Sequence, residues 1–139
     1  MKKIIIFLGL ILCTISSCSK IKGYKWTEAK FDISEIFFDS EGGQKVVCTE
    51  RGLYSWMLQD ITDADSPIAI YPERDEKTDM EQLSSDNIVV RHKDRRYVRH
   101  ETEEYDITVL PSTEVHKWVL SVSGAYIHGK VIIYQNCGK

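Results

Sequence analysis

The chain has 139 residues, with 18 Lys and Arg against 21 Asp and Glu, a net charge of −3, and 42% hydrophobic residues. That is enough for one domain of ordinary size. Its mildly acidic balance gives no general attraction to nucleic acid, so no nucleic-acid partner is expected.

Residues 1–17 read as a cleaved lipoprotein signal peptide. Lys2 and Lys3 form a positive start, Ile4 to Leu12 a short apolar run, and Ser16-Ser17 small residues before a cut. The run is shorter than the roughly 20 residues that span a bilayer. A plain signal peptide would leave Cys18 an ordinary cysteine. Ile15-Ser16-Ser17-Cys18 instead resembles the bacterial lipobox, which implies an acylated Cys18 as first mature residue. Several acyl chains hold a protein stably in a membrane where one does not. Ser19 after the cysteine, and the absence of acids in Ser19 to Gly23, imply by the same resemblance the outer membrane, periplasmic face. Losing Lys2 and Lys3 takes the net charge from −3 to −5.

Residues 18–30 read as the lipidated cysteine and a polar tether, and 31–139 as the folded domain. Phe31 to Phe38 alternates and then turns apolar. Ser40-Glu41-Gly42-Gly43 is a turn signal, because glycine accepts positive φ without steric cost. Gln44 to Glu50 is the next strand, so this pair forms a hairpin or crosses between sheets. Arg51-Gly52 is a second turn. Tyr54 to Ile61 follows, with Tyr54, Trp56 and Leu58 on one face at period two. Ile68 to Tyr71 is a short strand ended by Pro72. Residues 60 to 86 carry nine Asp and Glu against Arg74 and Lys77. Within them Asp79 to Leu83 reads as one helical turn. Asn87 to Arg91 and Arg96 to His100 flank Lys93-Asp94-Arg95 as a basic hairpin. Tyr105 to Leu110, Val115 to Ser123 and Lys130 to Asn136 complete the strands. Seven or eight short strands with Gly and Pro punctuation predict an all-β sandwich, with a small barrel as competitor.

Two segments resemble BACON-type domains, immunoglobulin-like modules of Bacteroidetes envelope proteins. Phe37-Phe38-Asp39-Ser40-Glu41-Gly42-Gly43-Gln44-Lys45-Val46-Val47, then Gly52 and Trp56, is similar to their opening. Gly129 to Asn136, with its apolar-X-Gln ending, is similar to their last strand. The middle departs: the usual Asn-Thr-Gly turn is missing, and 73 to 86 looks like an insertion. The resemblance implies an immunoglobulin-like β-sandwich more firmly than it implies the carbohydrate or mucin binding proposed for that family.

Candidate ligand contacts are few. Trp26, Tyr54, Trp56, Tyr97, Trp118, Tyr126 and Tyr134 could stack on sugars, but Trp56 and Trp118 have the apolar neighbours of core residues. Tyr126, between two glycines, is the best sugar contact. Arg91, Lys93, Arg95, Arg96 and Arg99 could clamp an anion or simply form a solvated face opposite the acids. Cys48 and Cys137 can pair in an oxidising envelope or pack as separate thiols. No zinc spacing, calcium loop, nucleophile elbow or phosphate loop is present, so no metal, no cofactor and no catalysis are expected. The expected role is a non-catalytic, lipid-anchored envelope protein that is structural or binds a protein partner, with a carbohydrate-binding module as the alternative.

Overall fold

A computed structural model describes residues 27–28, 31–50, 55–93, 102–124 and 127–138. The described residues form eleven β-strands and no helix. They are β1 (Thr27–Glu28), β2 (Glu35–Phe38), β3 (Gly43–Glu50), β4 (Ser55–Asp60), β5 (Ile68–Ile70), β6 (Glu73–Asp75), β7 (Met80–Ser84), β8 (Ile88–Lys93), β9 (Thr102–Val109), β10 (His116–Ser123) and β11 (Ile127–Gln135).

Sheet A runs β1-β11-β10-β4-β5, with β2 also paired to β11; sheet B runs β3-β9-β8-β7-β6. The chain crosses from sheet to sheet between β2 and β3 and again between β3 and β4. That strand order is the immunoglobulin-type division, with β6 and β7 extending the second sheet. Both β1 and β2 pair in parallel with β11, at its start and its end respectively.

One core lies between the sheets. Trp56, Leu58, Trp118, Leu120, Val131 and Ile133 face inward from sheet A; Val47, Leu83, Ile88, Val90, Tyr105 and Ile107 meet them from sheet B. The alternation of buried and exposed residues along β4, β8 and β10 is the period-two signature of half-buried strands.

The expected all-β sandwich is present, with three differences in its elements. Asp79 to Leu83 is not a helical turn: Met80–Ser84 is a strand paired with β8 and β6. The acid-rich stretch is therefore a two-stranded extension of sheet B. The antiparallel partners of β8 are β7 and Thr102–Val109, the latter in register Ile88↔Val109 to His92↔Tyr105, and the expected strand at 96–100 lies outside the described residues. The end of the tether contributes a short strand of its own, β1.

The two poles of the sandwich differ. At one, the β2–β3 crossing is pinned: the Gly42 amide donates to the Asp39 carbonyl (3.1 Å), and the Glu41 amide donates to Asp39 Oδ1 (3.0 Å). Gly42 has φ +70°, and a Cβ there would sit 2.1 Å from the Val109 carbonyl oxygen. Gln135, fully buried, donates from Nε2 to the carbonyls of Asp39 (3.2 Å) and Leu110 (2.9 Å) and accepts from Asn87 Nδ2 (2.5 Å). Asn136 Nδ2 donates to the carbonyls of Ser112 and Glu114. This clamp ties the end of sheet A to sheet B. At the other pole lie Ser55, Lys93, Ser123 and the paired starts of β1 and β11.

Candidate functional site

The outer faces of the two sheets differ in how their charged and apolar residues are arranged. On sheet B, Gln44 donates to both carboxylate oxygens of Asp106 (2.7 and 2.8 Å), and Arg91 Nε donates to Gln82 Oε1 (2.9 Å). Arg91, Lys93, Glu104 and Asp106 share one shallow depression of about 300 Å³ with Val46 and Met80. Cations and carboxylates therefore alternate on this face, as a solvated charged surface requires.

On sheet A the outward side chains mix polar and apolar types, with a cluster of partly exposed apolar and aromatic ones toward the clamped pole. Phe37 and Tyr134 stack with ring centroids 4.7 Å apart, and the Lys117 ammonium lies 5.3 Å from the Tyr134 centroid. Ile132, Val119 and Gln59 form the next row across the sheet. Toward the open pole come two further rows, Lys130-Ser121-Met57 and His128-Ser123-Ser55. Each has a serine in its middle, on β10. Small side chains between larger ones leave a hollow.

The hollow is a cleft of about 400 Å³. Trp56 and Met57 line it on β4, and Tyr71, just past the edge strand β5, lines it as well. Tyr71 is 67% exposed. Ser55 and Ser123 hydroxyls hydrogen-bond to each other (2.7 Å). Lys130 and His128, both exposed, stand on the β11 side. Among the described residues no carboxylate lines this cleft.

Beneath it the core carries an unusual polar group. Trp56 Nε1 donates to Glu81 Oε2. The His92 ring stacks on Tyr105 at 4.4 Å, its Nδ1 lies 3.0 Å from the Glu104 carbonyl, and its Nε2 lies 3.4 Å from Glu103 Oε2. His92 and Glu103 are both buried. Burial pushes the Tyr105 hydroxyl well above its ordinary value, and the Glu103 and Glu81 carboxylates act in the same direction. This set of buried polar groups joins β4, β7, β8 and β9.

The expected site residues are scattered. Arg91 and Lys93 lie on the outer face of sheet B, on the opposite side of the sandwich from the cleft. Arg95, Arg96, Arg99 and Tyr126 lie outside the described residues, as do Cys18, Trp26, Tyr54 and Tyr97. Trp56 and Trp118 are core residues, 5% and 1% exposed. Cys48 and Cys137 do not form the candidate bridge: both are free. Cys48 points outward from sheet B, while the Cys137 thiol lies against the carbonyls of His116 and Gln135 past the end of sheet A. Burial, then the Asp32 and Glu104 carboxylates, push the Cys48 thiol above its ordinary value. Asp60 and Asp63 accept hydrogen bonds from the amides of Thr62 and Asp65 and so shape turns.

Sequence reading missed Tyr71, His128, Lys130 and the three serines. Tyr71 followed by Pro72 reads as a strand end. The serines matter only because register aligns them with Met57 and Lys130, and register cannot be read from one strand.

No family model matches the chain, and no curated protein matches it. A solved structure that is similar is an NMR structure of a protein from Bacteroides thetaiotaomicron, at 10% identity and TM-score 0.46, covering 83% of this chain and 87% of that one.

Proposed function

We propose that this is a lipid-anchored, non-catalytic envelope protein whose β-sandwich binds a protein partner through the outer face of sheet A. The observation that carries the reading is the contrast between the two outer faces. Phe37, Val119, Ile132 and Tyr134 make a contiguous, partly exposed apolar and aromatic cluster beside Glu35, Lys117 and Gln59, whereas on the sheet B face Val46 and Met80 stand among Arg91, Lys93, Glu104 and Asp106. Aromatic and aliphatic side chains on an ordered sheet supply contact area at little conformational cost. The leader and Cys18 support attachment to the outer membrane, facing the periplasm.

A photo-reactive amino acid introduced at Val119, in intact cells, should cross-link to an envelope protein; the same group at Thr108, on the sheet B face, should not. Equal labelling from both positions, or none from Val119, would overturn the reading. Cys18→Ala should abolish acyl labelling and release the protein from membranes, and continued labelling would remove the anchor from it.

A second reading, binding of carbohydrate (glycan or mucin) in the manner suggested for BACON-type domains, is favoured by the cleft at Tyr71. A concave site with an aromatic wall and hydroxyl groups suits a sugar ring, which has an apolar face and a polar edge.

A further inference from the structure

From the lining of the sheet A cleft we infer a small-ligand site for a six-membered ring with an apolar face and a carboxylate substituent, distinct from the apolar rows used for a protein partner. It rests on the reading of sheet A's outer face as the binding surface, but it stands at the open-pole end of that face.

Shape comes first. At about 400 Å³ the cleft falls in the size range of small-molecule sites, roughly 300–1,000 Å³. It extends from β11 across β10 and β4 to Tyr71 beyond β5, so its ends are separated by about three strand spacings, roughly 14 Å. That length accommodates a ring on the Tyr71 and Met57 side with a polar substituent directed toward β11.

Chemistry comes second. Tyr71 offers a π face, and Met57 a polarisable apolar surface, against which a ring can lie. The serine hydroxyls supply neutral donors and acceptors at the middle of the cleft. Lys130 places an ammonium at the β11 end, and His128 adds a second nitrogen base beside it. The chain carries 21 Asp and Glu, yet none of those described lines this cleft. A carboxylate entering it meets the Lys130 cation and, among the described lining residues, no acid, the nearest acid by register being Glu28 opposite His128; the neighbouring cleft instead sets Glu73 and Asp75 around Arg74.

Two sources share this chemistry: a uronic-acid sugar and an aromatic acid. The test is equilibrium dialysis of the full chain, solubilised in non-ionic detergent, against galacturonic acid, benzoate and glucose. Saturable binding of galacturonic acid, benzoate or both, with glucose at least about tenfold weaker, is the expected result. Galacturonic acid alone identifies the sugar source, and benzoate alone the aromatic one. Lys130→Met should remove the preference for the acid over glucose, and Tyr71→Ala should weaken every bound ring about tenfold or more. Arg91→Met, on the opposite sheet, should change nothing. The proposal is overturned if no acid binds, if glucose binds as well as the acids, or if Arg91→Met weakens binding as much as Lys130→Met. Cross-linking from Val119 is read separately, so a failed ligand site and a failed protein interface give different results.

Discussion

Single residues at the clamped pole carry more of the fold than their size suggests. Gly42 holds a left-handed φ with the Val109 carbonyl where a Cβ would be, so both strain and overlap oppose any other residue. Gly42→Ala should cost about 2–3 kcal/mol by urea unfolding; a loss under about 0.5 kcal/mol would contradict the crossing described here. The Gly-Gly pair was legible as a turn from its residues alone. Gln135 was legible only as the end of a pattern, and its reason is physical: its amide satisfies two carbonyls and an asparagine in a place closed to water. Gln135→Leu keeps the volume and orphans these groups, which should cost about 2–4 kcal/mol. Tyr105 makes the pH prediction. Its folded-state value is raised above the roughly 10 of an unfolded tyrosine, so the fold favours the neutral hydroxyl. The associated stability is complete below pH about 10 and declines as pH rises beyond it, because the unfolded chain releases a proton that the folded chain retains. Urea midpoints between pH 9 and 11 should fall less steeply in Tyr105→Phe than in the wild type. Parallel slopes would show that Tyr105 is not the group responsible.

At the scale of elements, strands with apolar inward positions were readable and strands with polar inward positions were not. β10 shows its alternation plainly, from Trp118 to Val122. In β7 the inward residues are Glu81 and Leu83, and the outward Met80 stands three residues before Leu83. An apolar pair at that spacing imitates a helical face. In β9 the inward Glu103 hides the first half of the strand, and in β8 the inward His92 hides the last. Each of these polar residues is explained by another on a different strand: Glu81 by Trp56, and His92 by Glu103 and Tyr105. Long-range pairing of this kind leaves no local trace in a sequence. It also makes the β6–β7 extension part of the domain. Leu83, 2% exposed, packs its inner face into the core. Leu83→Ala should therefore cost about 2–5 kcal/mol, as for a buried leucine, and retention of full stability would show the extension to be an appendage. The cysteines test the same arrangement from another side. Denatured, unreduced mature protein should titrate with both Cys48 and Cys137 reactive, since Cys48 is on sheet B, Cys137 lies past the end of sheet A, and both are free.

At the scale of the whole molecule, the point where the tether joins the sandwich determines how an anchored protein would stand. β1 pairs with the first residues of β11, so the chain enters at the open pole. Cys18 precedes Thr27 by a segment that can extend at most about 30 Å. β11 then carries the fold away from that pole over nine residues, about 30 Å. Exposed acids stand at both poles: Asp39, Glu41, Asp63, Asp65, Asp86 and Glu114 at the clamped end, and Asp75, Glu76 and Asp79 in the β6–β7 turn beside Lys93 at the open end. Charge therefore selects neither orientation, and tether position does. With Cys18 acylated the open pole and its cleft should face the membrane while the clamped pole projects away. A fluorophore introduced genetically at Lys93, near the open pole, should be quenched strongly by lipids carrying a quencher on their headgroups. The same fluorophore at Thr113, on the clamped pole, should be quenched weakly. Raising the salt concentration should leave the difference in place, because the tether contribution is not screened. Equal quenching at both positions would mean that the tether lets the domain tumble freely. Stronger quenching at Thr113 would mean that the sandwich lies the other way up, with the cleft turned toward the compartment rather than the bilayer.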